Sequence, residues 1–187
     1  EVPREVVFYD SATDTGELHF KGDILSSSDT EFYIYYGNGS ASDYARDATY
    51  GLENVWRTDY KLVMHLQEQG DGTTDEYKDS TQYTNHGTGG SGDYPTRTKS
   101  GALGYAQDFS ANYITVPTDT SIAITGDLTL QAIVKTDSLT QTNNFILDKR
   151  PDTSFTGYFL TQRNNDDLRF LHGATGHDMD YVDFFTD

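Results

Sequence analysis

The sequence predicts an all-β fold, an antiparallel sandwich, and three observations predict it. Fourteen Tyr and ten Phe accompany many Thr, Val and Ile, the residue types that suit a pleated, half-buried surface. Seventeen Gly, together with Asp and Ser, cut the chain into short runs separated by turn chemistry. No long stretch repeats apolar residues at helical spacing. Short strands at this spacing favour two packed antiparallel layers.

The first candidate strand is 5–9, EVVFY, and the second is 31–36, EFYIYY. Segments 42–46 and 49–54 are each long enough for about one helical turn, with Thr49 and Glu53 set as at a helix start. In 61–67, Leu62, Met64 and Leu66 share one face, and Lys61, His65 and Gln67 the other. Segment 113–116 is a short strand. In 128–136, Leu128, Leu130, Ala132 and Val134 oppose Thr129, Gln131 and Lys135. Three more candidates follow at 144–148, 157–163 and 167–172, the last two joined by a β-hairpin turn at 162–167. The first fifty residues offer Val6, Phe8, Phe32, Ile34 and Tyr36, too few to enclose a core alone. They are therefore expected to pack on the remainder.

Charge narrows the function. Thirteen Lys plus Arg face thirty Asp plus Glu, a net charge of -17. Such a chain repels phosphate backbones, which argues against nucleic acid and against anionic membrane surfaces. No run approaches the roughly 18 apolar residues of a membrane helix, so no membrane insertion is expected. Cysteine is absent, which removes disulfides, thiolate metal sites and a Cys nucleophile. No signal peptide opens the chain, and it reads as a mature piece or an excised fragment.

Motifs for catalysis are missing. No G-x-S-x-G elbow occurs. No Glu follows Glu76, so a glycosidase pair would need Asp alone, or Glu68 or Glu76 with a distant partner. The run from His86 to Gly92 lacks the Lys-Ser/Thr of a phosphate loop and reads as a flexible inter-strand loop. The five His form no H-x-x-x-H or other zinc spacing. Asn38-Gly-Ser40 is a glycosylation sequon.

Several stretches carry a family likeness: His65-Leu-Gln-Glu68, Asp79-Ser80, Gly101-Ala-Leu103, Tyr113-Ile-Thr-Val-Pro117 and Leu128-Thr-Leu-Gln-Ala-Ile-Val-Lys135. With them, residues 57–187 resemble a laminin G-like, concanavalin A-like lectin–glucanase domain. Roughly residues 5–56, on the Tyr-Ile-Tyr-Tyr-Gly-Asn run at 33–38, resemble the C-terminal part of an uncharacterised β-rich family common in secreted prokaryotic proteins. The resemblance implies a concanavalin A-like jelly-roll sandwich, here incomplete at its C-terminus. It implies an extracellular or cell-surface, non-catalytic module of a larger protein, binding polysaccharide or acting in adhesion. The Glu-x-Asp-x-x-Glu motif of laminarinase-type relatives is absent. A structural spacer or appendage, as in a phage fibre or stalk, is the rival reading, and a glycoside hydrolase or polysaccharide lyase is the least favoured.

Sugar sites pair aromatic faces with forked polar groups. The expected contacts are Tyr158, Arg163, Phe170 and His172 on the late hairpin, beside Arg169, with His65 and Gln67 on the polar side of their strand. Asp71, Asp75, Glu76 and Asp79 share one loop, resembling the loop in which laminin G-like domains hold a structural calcium; Asp79 leads this set. EF-hand spacing is absent, and His177-Asp178-Met-Asp180 is a second acidic cluster. Any sheet edge left uncovered predicts a homodimer through strand pairing or face packing.

Overall fold

A computed structural model of the chain describes residues 1–90, 92, 94–98, 101–102, 104–136, 141–151, 157–164, 167–173 and 179–181. Leu103, His177, Asp178 and the terminal 183–187 stretch with Phe184 lie outside the described residues. The fold is all-β with antiparallel sheets; the only helical turns described are short 3₁₀ pieces at Leu52–Asn54 and Thr120–Ile122. The chain divides into two compact units, Glu1–Asp119 and Thr120–Asp187. Residues 1–56 and 57–119 thus belong to one unit.

The first unit opens on a hairpin of β1 (Arg4–Asp10) and β2 (Thr15–Phe20). Asp10 accepts the Ala12 N–H and Asp14 takes a positive φ of 50°, so the turn is built from local Asp chemistry. A bulge between Val6 and Phe8 sets Glu5 opposite His19 and Phe8 opposite Glu17. Apolar alternation would bury Val6. Instead Val6 is 52% exposed and Glu5 is buried. Short ladders follow: β3 (Thr88–Gly89) with β6 (Ile114–Thr115), and β4 (Thr96–Thr98) with β5 (Ala106–Asp108). Tyr77, fully buried, bridges Gly87 through two backbone hydrogen bonds of 3.0 and 2.8 Å.

The Gly-rich run is therefore not a loose loop where it is described. Gly87 is bridged to Tyr77 and Thr88–Gly89 is strand. A Cβ on Gly87 would sit 2.4 Å from Ile114 Cγ2, and one on Gly89 would sit 2.4 Å from Tyr94 Cβ. Close approach, not flexibility, explains these two glycines.

The second unit carries a four-stranded antiparallel sheet in the order β10 (Met179–Tyr181), β9 (Leu168–His172), β8 (Tyr158–Arg163), β7 (Asn143–Lys149). Tyr158, Phe159 and Leu171 are its buried apolar residues, with Ile122 beside them. Phe159 meets Phe145 edge-on at 5.5 Å, and the Arg150 guanidinium lies 4.6 Å from its ring centre.

Three expected strands are not formed among the described residues: 31–36, 61–67 and 128–136. Segment 31–36 is anchored by Phe32, which packs on Phe20 at 4.8 Å and against Gly22. Ile34 and Tyr36 beyond it are exposed, and the segment pairs with no strand. Segment 128–136 likewise finds no partner strand, and Ile133 is 80% exposed. Segment 61–67 is tightly held, but mostly by side chains. Val63 N–H donates to Asp79 Oδ1 at 3.0 Å, and the Lys61 and Leu66 carbonyls accept from Asn85 Nδ2 and Gln107 Nε2. Leu66, at φ +57°, ends the extended run.

Candidate functional site

Two polar centres organise the first unit. The first is Asp79. Its carboxylate is fully buried and accepts four hydrogen bonds: Val63 N–H and Thr81 N–H on Oδ1, Thr81 Oγ1–H and Asn85 N–H on Oδ2, all between 2.8 and 3.0 Å. The Asp79 N–H in turn donates to His86 Nδ1 at 2.9 Å. Four donors occupy the lone pairs a cation would need. Asp79 works as an anchor tying 61–67 to the 79–86 turn.

The other loop acids are also engaged locally. Asp71 Oδ1 accepts the Thr73 N–H at 2.8 Å, and the Thr73 bonds, then Glu76, hold the Asp71 carboxyl below its ordinary range. Glu76 accepts three backbone N–H groups, from Asp71, Gly72 and Gly89. Asp75 gives its own N–H to Thr88 Oγ1. Among the described residues, Asp71, Asp75 and Asp79 do not gather into a three-ligand cluster.

The second centre lies on the β1–β2 hairpin. Glu5 Oε2 accepts from Trp56 Nε1 at 2.8 Å and pairs with His65 Nε2 at 3.3 Å; Glu5 Oε1 accepts from the Ser80 hydroxyl. Burial pushes the Glu5 carboxyl up. The bonds from His65, Ser80 and Trp56 outweigh burial and hold it below its ordinary value. For His65 burial opposes the charged ring, but the Glu5 hydrogen bond and the charges of Glu5, Glu17 and Glu68 outweigh it and raise its pKa. On β2, Glu17 and His19 are two residues apart and share a face. Glu17 Oε1 lies 2.7 Å from His19 Nε2 and 3.9 Å from His65 Nδ1. Ligand atoms of Glu17, His19 and His65 all lie within 4.8 Å of one another. No sequence spacing pointed to this group, since His65 reaches it from 46 residues beyond His19.

Beside this centre runs an open cleft of about 310 Å³ lined by His19, Lys21, Gly22, Trp56, Arg57 and Tyr60. Trp56 and Tyr60 meet at 5.3 Å with their planes 64° apart. Lys21, Arg57 and Tyr60 are exposed.

Of the expected sugar contacts in the second unit, Tyr158, Phe170 and His172 lie together on β8–β9, with Tyr158 opposite His172, while Arg163 stands at the far end of β8. His65 lies in the hairpin centre, half-buried. Gln67 is spent on backbone: Oε1 accepts the Tyr105 N–H at 2.9 Å, and Nε2 donates to the His65 and Tyr105 carbonyls. Tyr158 is buried and donates to the Ile122 carbonyl at 2.8 Å. Phe170 stacks on His172 at 6.4 Å within β9. Arg163 closes the β8–β9 hairpin through its N–H to the Asp167 carbonyl. No helix among the described residues is long and apolar enough to cross a membrane. Comparison with family models, with curated proteins and with solved structures finds no match for this chain.

Proposed function

We propose that this chain is part of a non-catalytic extracellular module, laminin G-like with a concanavalin A-like jelly-roll sandwich, that binds carbohydrate or mediates adhesion. The observation that carries the reading is the Trp56–Tyr60 cleft. It sets two aromatic rings beside the cationic and hydrogen-bonding groups of Lys21, Arg57 and His19. Sugar rings stack their C–H faces on aromatics and offer hydroxyls to such donors, and an open, shallow shape suits a chain-like polysaccharide. The buried carboxylates Glu5 and Asp79 are engaged by protein donors, which favours binding over acid–base chemistry.

Trp56 is the single tryptophan, so its fluorescence reports the cleft directly. A glycan array probed with and without calcium should identify a polysaccharide. Titration with that glycan should shift Trp56 emission, and Tyr60→Ala should weaken binding at least about tenfold. An array that stays blank in both conditions sinks the sugar reading.

A second reading, a structural spacer or appendage, is favoured by segments 31–36 and 128–136, which join no sheet among the described residues and expose Ile34, Tyr36 and Ile133. Such segments are templates for strand addition by another copy. Sedimentation would separate the readings: a strand-paired homodimer belongs to the spacer, a monomer to the lectin.

A further inference from the structure

We propose that Glu17, His19 and His65 form a binding site for one divalent transition-metal ion of the zinc class, with its fourth position open toward the Trp56–Tyr60 cleft. The inference stands whether or not that cleft holds a sugar.

The donor set is the first argument. Two imidazoles and one carboxylate suit zinc, whereas calcium and magnesium prefer all-oxygen shells. The distances are the second. Zinc bonds of about 2.0–2.2 Å in a tetrahedron place ligand atoms roughly 3.3–3.6 Å apart. The observed separations from Glu17 Oε1, 2.7 Å to His19 and 3.9 Å to His65, bracket that span. All three ligand atoms lie within 4.8 Å of one another, close enough to share one ion.

His65 is held by a carboxylate at each ring nitrogen. Its Nε2 faces Glu5 Oε2 at 3.3 Å, and its Nδ1 faces Glu17. A ring that donates Nε2–H to a carboxylate leaves the Nδ1 lone pair for a metal, the carboxylate–histidine–metal relay of zinc centres. Glu5 is itself fixed by Trp56 and Ser80, so the ring's orientation is set before any ion arrives. Glu17 and His19 project from a paired strand, with His19 directly across from Glu5. His19 is partly exposed and lines the cleft, so a water or a ligand oxygen completes the shell from that side.

The test uses the full chain. Zinc alone is titrated by calorimetry with excess magnesium present, which occupies loose sites on a surface of charge -17. One zinc per chain is expected, and cobalt should give the intense visible bands of a tetrahedral site. Glu5→Gln keeps the fold's shape and should weaken zinc about tenfold, as removal of an outer-shell partner does. His19→Ala and Glu17→Gln, both at the rim, should weaken it further, while Asp71→Asn should leave it unchanged. Circular dichroism confirms that each variant is folded. Zinc uptake abolished by magnesium, or one-to-one uptake unchanged in His19→Ala and Glu17→Gln, overturns the proposal.

Discussion

Residues 61–67 in the first unit and β7–β9 in the second solve one problem by different means. Both are extended runs whose backbone N–H and C=O groups need partners. In β7–β9 the partners are neighbouring strands, and Phe159 and Leu171 seal the sheet. In 61–67 they are largely side chains reaching in from far along the sequence: Asp79, Asn85 and Gln107. One region is held by a ladder and apolar burial, the other by a few acceptors and donors that must each be present. The difference teaches that alternation makes a segment extended, but what lies beside it decides whether it becomes a strand.

The largest break should come from deleting the central member of each device. Phe159→Ala removes a buried ring and its contacts with Phe145 and Arg150, at a cost of about 3–5 kcal/mol. Asp79→Ala leaves the Val63, Thr81 and Asn85 N–H groups without their acceptor and should cost about 3 kcal/mol. Hydrogen exchange distinguishes them. Phe159→Ala should expose the amides of β7–β9, and Asp79→Ala those of 63, 81 and 85. Equal, uniform loss of protection over the whole chain in both variants would erase the comparison.

A milder lever is pH. His86 accepts the Asp79 N–H on Nδ1, and burial, then Lys78 and Arg46, push its pKa below the ordinary value, against Asp79 and Asp75. A depressed histidine favours the neutral ring in the folded state. Its contribution is present above the unfolded pKa of about 6.5 and is lost as pH falls through the folded value. The His86 share of the first unit's stability should therefore fall on mild acidification by about 1 kcal/mol, the worth of one hydrogen bond. His65, with its raised pKa, adds stability over the same acidification, and the His86→Asn comparison isolates the first effect. Melting curves read by Trp56 fluorescence between pH 7.5 and 5 check this. His86→Asn, which keeps an acceptor without the titration, should flatten the dependence; an unchanged slope in that variant would move the cause elsewhere.

Much of the fold was legible, and the residues say why the rest was not. β1, β7, β8 and β9 follow from local apolar and β-branched runs whose partners are strands nearby in sequence. β2, Thr15–Phe20, carries little apolar signal and exists because β1 lies beside it. Glu5 is buried against the pattern of its strand because Trp56, His65 and Ser80 supply donors from 51 to 75 residues away. The sequence marks Asp79 as a candidate cation ligand, and in the structure the oxygens that would bind an ion accept from backbone and threonine donors. The Glu17–His19–His65 group follows from the same long-range packing. Spacing rules describe neighbours in sequence and say nothing of a histidine delivered by a side-chain-bonded segment.

Residues 128–136 have the alternation of 61–67 but form no strand among the described residues, and Ile133 stands 80% exposed. If that segment rests in water, Ile133→Asp changes stability by no more than about 0.5 kcal/mol, as surface substitutions do. The measurement is a urea midpoint at two protein concentrations tenfold apart. A loss above about 1 kcal/mol that grows with concentration would mean a second copy covers this segment, and the variant should then sediment as a monomer where the parent does not. The same loss without concentration dependence would mean that Ile133 is packed within the chain. In that event the segment would join 61–67 as an extended run held by contacts other than a ladder, and exposure would cease to distinguish the two.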